Sequence, residues 1–155
     1  MTQSNAAPSP SRLSKAQDRR RLLAEEMRDL EKIVAGPASA HDWLDRVETG
    51  LSDLRQALDA HIAEVEGPDG LLAEIVEMAP RLSAQTDQLR EDHMELLGAW
   101  LRAEATVRAA RGDGADLRAL IRRRVVNLIG HLTMHRQAGS DLVFEAYNVD
   151  IAASD

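Results

Sequence analysis

The sequence predicts an all-α protein, an up-down four-helix bundle whose second and fourth helices are broken. Three observations lead there. Leucine and alanine dominate the apolar residues, and only four residues are aromatic: Trp43, Trp100, Phe144 and Tyr147. Leucine and alanine are strong helix formers. Apolar residues recur every three or four positions along several long segments, the period of a helix with one buried face. No alternating run of β-branched residues is bounded by hairpin punctuation, so nothing reads as a strand.

Residues 1–10, MTQSNAAPSP, are small and polar with two prolines and read as a disordered tail. The remainder, 11–155, is the length of one domain with a real core. A first helix is expected from about Ser11 to Val34, its inner face holding Leu23, Met27, Leu30 and Val34, and Gly36-Pro37 ends it. The second starts between Ser39 and Asp42, which offer capping oxygens. It carries Trp43, Leu44, Val47, Leu51, Leu54, Leu58, His61 and Val65 until Gly67-Pro68-Asp69-Gly70 breaks it. A short helix resumes at Leu71 and runs to Pro80. The third helix spans Arg81 to Arg111, and Gly112-Asp113-Gly114 is a turn. The fourth runs from Ala115 to Ala138; Gly139-Ser140 interrupts it, and a last piece covers Asp141 to Asp150. Short connections between long amphipathic segments predict antiparallel neighbours.

Composition excludes several functions. The net charge of −7 argues against nucleic acid as the main partner, since phosphate binding needs a basic face. The arginine runs Arg19–Arg21 and Arg122–Arg124 read as solvated helix faces. With no cysteine, thiolate metal sites, iron–sulfur clusters and cysteine nucleophiles are excluded. No apolar run approaches the roughly 20 residues that span a bilayer, and the N-terminus lacks the apolar core of a signal peptide, so no membrane partner and a cytoplasmic location are expected. No G-x-S-x-G elbow, Walker loop or dinucleotide fingerprint is present, and nothing in the sequence requires turnover.

The most telling residues are three histidines on the apolar stripes of three different helices. His61 follows Val47, Leu51, Leu54 and Leu58. His93 follows Leu82 and Leu89 and precedes Leu96 and Trp100. His135 follows Ile121, Val125, Leu128 and Leu132. A buried imidazole carries two nitrogens that need partners, so three on facing stripes suggest a common ligand, with a metal the natural candidate. Imidazole suits iron, zinc, copper and nickel. His131 lies one turn before His135 at the edge of the same stripe, whereas His41, at a helix start, reads as a surface or capping residue. Carboxylates within reach are Glu64 and Glu66 near His61, Asp92 beside His93, and Asp141 and Glu145 after His135, the last two if the break at Gly139 resets their phase. The competing reading is a hydrogen-bonded polar network that fixes packing register, in a bundle that works through protein association. In addition, the segment Glu25–Leu30 echoes Glu91–Leu96, aligning Met27 with His93 and Glu26 with Asp92.

The stretch His61–Glu66 (HIAEVE), the pair Asp92-His93, the interval between these histidines, His135 with Asp141 beyond it, and the ending HRQAGSDLVFEAYNVDI together resemble the hemerythrin-like, or HHE cation-binding, domain in a bacterial subgroup. The resemblance covers most of the chain after residue 20. It implies a four-helix bundle holding non-haem iron, one or two ions, through His61, His93 and His135, with His131 and the carboxylates Glu66, Glu26, Asp141 or Glu145 as further ligands. It also implies binding or sensing of a small diatomic or peroxide, such as dioxygen or nitric oxide. The chain departs from the family pattern at Met27, where a first-helix histidine is expected, and at Val65, where a glutamate is expected.

Overall fold

Each apolar stripe forms a helix. The computed structural model describes residues 10–112 and 116–149. Helix α1 spans Pro10–Ala35, α2 Trp43–Glu66, α3 Leu71–Met78, α4 Ser83–Gly112 and α5 Arg118–Phe144. A 3₁₀ turn, Pro80–Leu82, leads into α4, and a π-helical turn, Glu145–Val149, extends α5. Pro10 opens α1 rather than closing the expected tail, whose other residues lie outside the described part, as do Asp113 and Gly114 of the expected turn and Asp150. Among the described residues there is no strand, and no helix is long and apolar enough to cross a membrane.

The four long helices pack around a shared interior, and polar bonds join their ends. The last carbonyls of α1, which lack partners within the helix, accept from side chains of α2 and α5. Trp43 Nε1 donates to the Ile33 carbonyl at 3.1 Å, and Arg122 donates to those of Val34 and Gly36 at 2.7 and 2.9 Å. Toward the other end of α1, Arg20 donates to the Arg136 carbonyl near the end of α5 at 3.2 Å. Arg111 in the last turn of α4 pairs with Asp45 and Glu48 in the first turns of α2. Between those helices, Trp100 Nε1 donates to the Leu51 carbonyl at 2.7 Å. Helices α1 and α2 approach closely at Gly50, where a Cβ would meet Leu30 Cδ1 at 2.9 Å.

The break after α2 follows from its sequence. Pro68 has no N–H to continue the helix and disfavours helical geometry in the residue before it; Gly67 is accordingly extended, with ψ of 160°. Gly70 N donates to the Gly67 carbonyl at 2.8 Å. The loop is tight enough that a Cβ on Gly70 would stand 2.7 Å from the Val65 carbonyl oxygen and 2.8 Å from that of Glu64.

The fourth helix is not broken where the sequence suggested. Helix α5 runs without interruption through Gly139 and Ser140 to Phe144. Glycine lowers helix stability by about 1 kcal/mol, which packing of Leu132, Leu142 and Ala146 against other elements overrides. The departure from α-geometry comes later, at Glu145.

The interior divides into two apolar clusters. The larger contains Leu23, Leu30, Leu54, Leu58, Leu96, Leu128 and Leu132. The smaller contains Ala16, Val65, Leu72, Ile75, Leu89 and Leu142. On every long helix a short interval separates the two, and into those intervals fall Arg20, His61, His93 and His135. The molecule thus has a polar layer between two apolar ones.

Gly70→Ala is expected to destabilise the protein by about 1–3 kcal/mol, the usual range for forcing atoms into a packed space. Thermal denaturation checks this as a fall in Tm of several degrees, with helical content unchanged below the transition.

Candidate metal centre

Helices α2, α4 and α5 each deliver one imidazole to the polar layer. His61, His93 and His135 are all buried, and one nitrogen of each lies within 4.8 Å of the other two. Ring centroids are 5.3 Å apart for His61 and His93, 5.7 Å for His61 and His135, and 4.6 Å for His93 and His135.

The hydrogen bonds define which nitrogens face inward. His93 Nδ1 lies 2.9 Å from Glu66 Oε1, and His135 Nδ1 lies 3.4 Å from Asp92 Oδ2. A carboxylate oxygen accepts, so each Nδ1 carries the proton and donates it. Both Nε2 atoms are then left with lone pairs, and they face each other across 3.0 Å. In the neutral rings those two lone pairs repel unless a proton or a metal ion lies between them. His61 adds a third pair: neither of its ring nitrogens has a hydrogen-bond partner, although both are buried. Burial pushes the His61 pKa down to about 3, helped by the neighbouring His93, His135 and Arg20. Burial lowers that of His135 too, with His93 and Arg20 acting in the same sense and Asp92 opposing. Protonated His61 and His135 are therefore disfavoured near neutrality.

A metal ion fits this donor set. Nitrogens bound at about 2.0–2.1 Å to one ion stand roughly 3.0–3.4 Å apart, which the Nε2 pair satisfies without movement. Histidine ligands donate their outer N–H to a carboxylate in most metal sites, which fixes the ring and raises its basicity; Glu66 and Asp92 stand in that relation to His93 and His135.

The other sequence candidates lie elsewhere. Glu66 touches the cluster only through His93, because five residues of helix turn it about 140° away from His61 and toward α4. His131 is exposed: the buried stripe of α5 takes Leu128, Leu132 and His135 and leaves His131 outside, lining a surface cleft with Asp92 and Glu95. Asp141 is exposed and accepts from Gln137, while Glu145 pairs with Arg81 at 3.0 Å. Since α5 keeps its phase through Gly139, neither is turned inward. Desolvation, then the neighbouring carboxylates Asp53, Asp29 and Glu25, raise the pKa of Glu26, and it is not part of the cluster. Met27 is buried in the larger apolar cluster and does not line the centre.

Two residues at the centre were missed in the sequence, Arg20 and Arg136. With the three histidines they line a cavity of about 40 Å³. Its remaining walls include Val65, Leu71, Leu72, Ile75, Leu89 and Leu142. A water needs about 10–15 Å³ by this measure, so the space suits a molecule of a few heavy atoms. Arginine within an arginine-rich helix segment reads as surface, and only the interval between Ala16 and Leu23 marks Arg20 as a member of the layer.

Comparison with models of protein families, with curated proteins and with solved structures finds no match to this chain.

The depressed pKa of His61 carries a pH dependence with a definite sign. The unfolded chain binds a proton there near pH 6.5 and the folded, metal-free protein does not until about pH 3. Its contribution to stability is complete above the unfolded value and is lost as pH falls through that interval. Tm of chelator-treated protein is expected to fall between pH 7 and pH 5, and His61→Leu to reduce that slope.

Proposed function

We propose that this chain is a hemerythrin-like, up-down four-helix bundle that holds non-haem iron at His61, His93 and His135 and binds or senses a small oxidant such as dioxygen or nitric oxide. One observation carries the metal reading: three buried imidazole nitrogens converge within 4.8 Å of one another, and neither nitrogen of His61 has a hydrogen-bond partner. The competing reading, a satisfied polar network, is disfavoured by His61, both of whose nitrogens are orphaned. Joined helix ends support the up-down order. The order and spacing of the histidine motifs support iron, and the small cavity beside the imidazoles supports a diatomic or peroxide ligand.

The chain's own residues divide the work. His61, His93 and His135 supply three nitrogen donors and leave the remaining coordination positions open. Glu66 and Asp92 hold the Nδ1 protons of His93 and His135, so that each Nε2 points at the ion and gains basicity. Val65, Leu72, Ile75 and Leu142 keep bulk water from the cavity. Iron bound there supplies a redox-active centre with open positions for the ligand. The three histidines alone form the cluster among the described residues, which favours one ion over two.

Protein purified after growth in iron-replete medium is expected to carry about one ion per chain, measured by elemental analysis with an optical spectrum, as a coupled metal–folding site predicts. His61→Leu should lose that metal while keeping or raising the Tm of the metal-free protein, because leucine replaces two unpartnered nitrogens with apolar volume. A wild-type chain that binds neither iron nor any other transition metal, or a His61→Leu chain that binds it as well as wild type, contradicts the reading. Glu66→Gln and Asp92→Asn are each expected to weaken metal binding about 10–100-fold, read by competition with a chelator.

A further inference from the structure

The first helix supplies a cation to the polar layer. Arg20 occupies on α1 the interval that His61, His93 and His135 occupy on the other long helices. One of its terminal nitrogens donates to the Arg136 carbonyl at 3.2 Å and to the Ser140 hydroxyl. Among the described residues no carboxylate pairs with either Arg20 or Arg136. Arg136 Nε is buried and has no acceptor. A guanidinium has five N–H donors, so several of Arg20's remain for a ligand in the cavity that both arginines line with the three imidazoles.

These facts point to a missing acceptor. Arg20 and Arg136 are half-buried and border a small apolar-walled cavity, and an anion within it would give their spare donors charge-assisted bonds. The charges of Arg20 and Arg136 are offset by Glu66 and Asp92 in the outer ring, so a divalent ion at the histidines would leave the centre in excess of positive charge. A neutral diatomic held at the ion would leave those donors without an acceptor, so an anion is a further ligand of the same cavity.

We infer that the cavity is a binding site for a small monoanion of a few heavy atoms, of the nitrite or formate class, held by Arg20 and Arg136. The inference goes beyond the metal reading by adding a second class of ligand, and rests on that reading only for placing the anion beside an ion. The arginines and the cavity exist whether or not metal is held.

The test is calorimetric titration of metal-free and metal-loaded protein with sodium nitrite and with sodium formate, at ionic strength fixed by a bulky aromatic sulfonate salt. Formamide, the neutral counterpart of formate, is the control. Saturable binding of both anions to both forms is expected, with none of formamide. Arg20→Gln should weaken binding by about tenfold or more, the factor a lost charge-assisted bond supplies, and Arg20→Lys should recover part of it. Arg136→Gln should act in the same direction, and keeps the test available should Arg20→Gln fail to fold.

Formamide binding as well as formate, or both glutamine variants binding like wild type, overturns the inference. Anion binding confined to metal-loaded protein and indifferent to both arginines also overturns it while leaving the metal reading intact. Arginine-dependent binding to a chain that takes up no metal sustains the inference and removes the metal reading.

Discussion

Two imidazole lone pairs, 3.0 Å apart and held face to face by the carboxylates behind them, are the constraint on which the rest of this structure turns. Glu66 and Asp92 fix the tautomers of His93 and His135, and once those are fixed the repulsion between the Nε2 atoms cannot be relieved by rotating a proton. His61 closes the third side with nitrogens that have no partner. A burial of this kind costs several kcal/mol if nothing fills the centre, which the surrounding leucines must carry or a cation must remove. Burial and Arg20 disfavour a proton on His61 and on His135; the three nitrogens, all within 4.8 Å of one another, could instead hold a metal ion.

The placement of this polar layer explains how a leucine-rich interior tolerates it. The larger apolar cluster packs the end of the molecule where α1 meets α2 and α5, and the smaller packs α3 against the beginning of α4 and the last turns of α5. The layer between them is therefore clamped from both sides and positions its nitrogens on rigid helices, not on loops. The break at Gly67–Gly70 has a related consequence. It turns the chain so that α3 lies across the cavity, with Leu71, Leu72 and Ile75 forming apolar wall. Beyond it, Glu74 on α3 accepts from Tyr147 of the π-helical turn at 3.3 Å. Burial and that carboxylate push the Tyr147 pKa up to about 12, so the hydroxyl stays protonated and keeps this closure in place.

Much of this was legible in the sequence because helical period and buried face are the same information. The stripes through Leu51, Leu58, Leu96 and Leu128 gave the long helices, and histidines lying on them could only point inward. The loop at Gly67-Pro68 was legible because proline removes a donor outright. Gly139 was misread because glycine in a helix is only a weak penalty, which packing overrode. Asp141 and Glu145 followed that error, since their inward turn depended on it. Glu66 was placed in the right neighbourhood but with the wrong target, because which neighbouring helix it reaches is a tertiary fact. Arg20 was invisible for a different reason. A lone guanidinium inside an arginine run has the signature of a solvated surface, and its partial burial comes from the meeting of α1 with α5, a tertiary contact.

The central claim is that three imidazole nitrogens share one ion. X-ray absorption at the metal edge of the loaded protein tests it most directly. The account predicts a first shell containing three nitrogens at roughly 2.0–2.2 Å, with the outer-ring scattering of imidazole, and loss of that scattering in His61→Leu. A shell made only of oxygen, unchanged by the substitution, would place the metal elsewhere on the molecule and contradict the account.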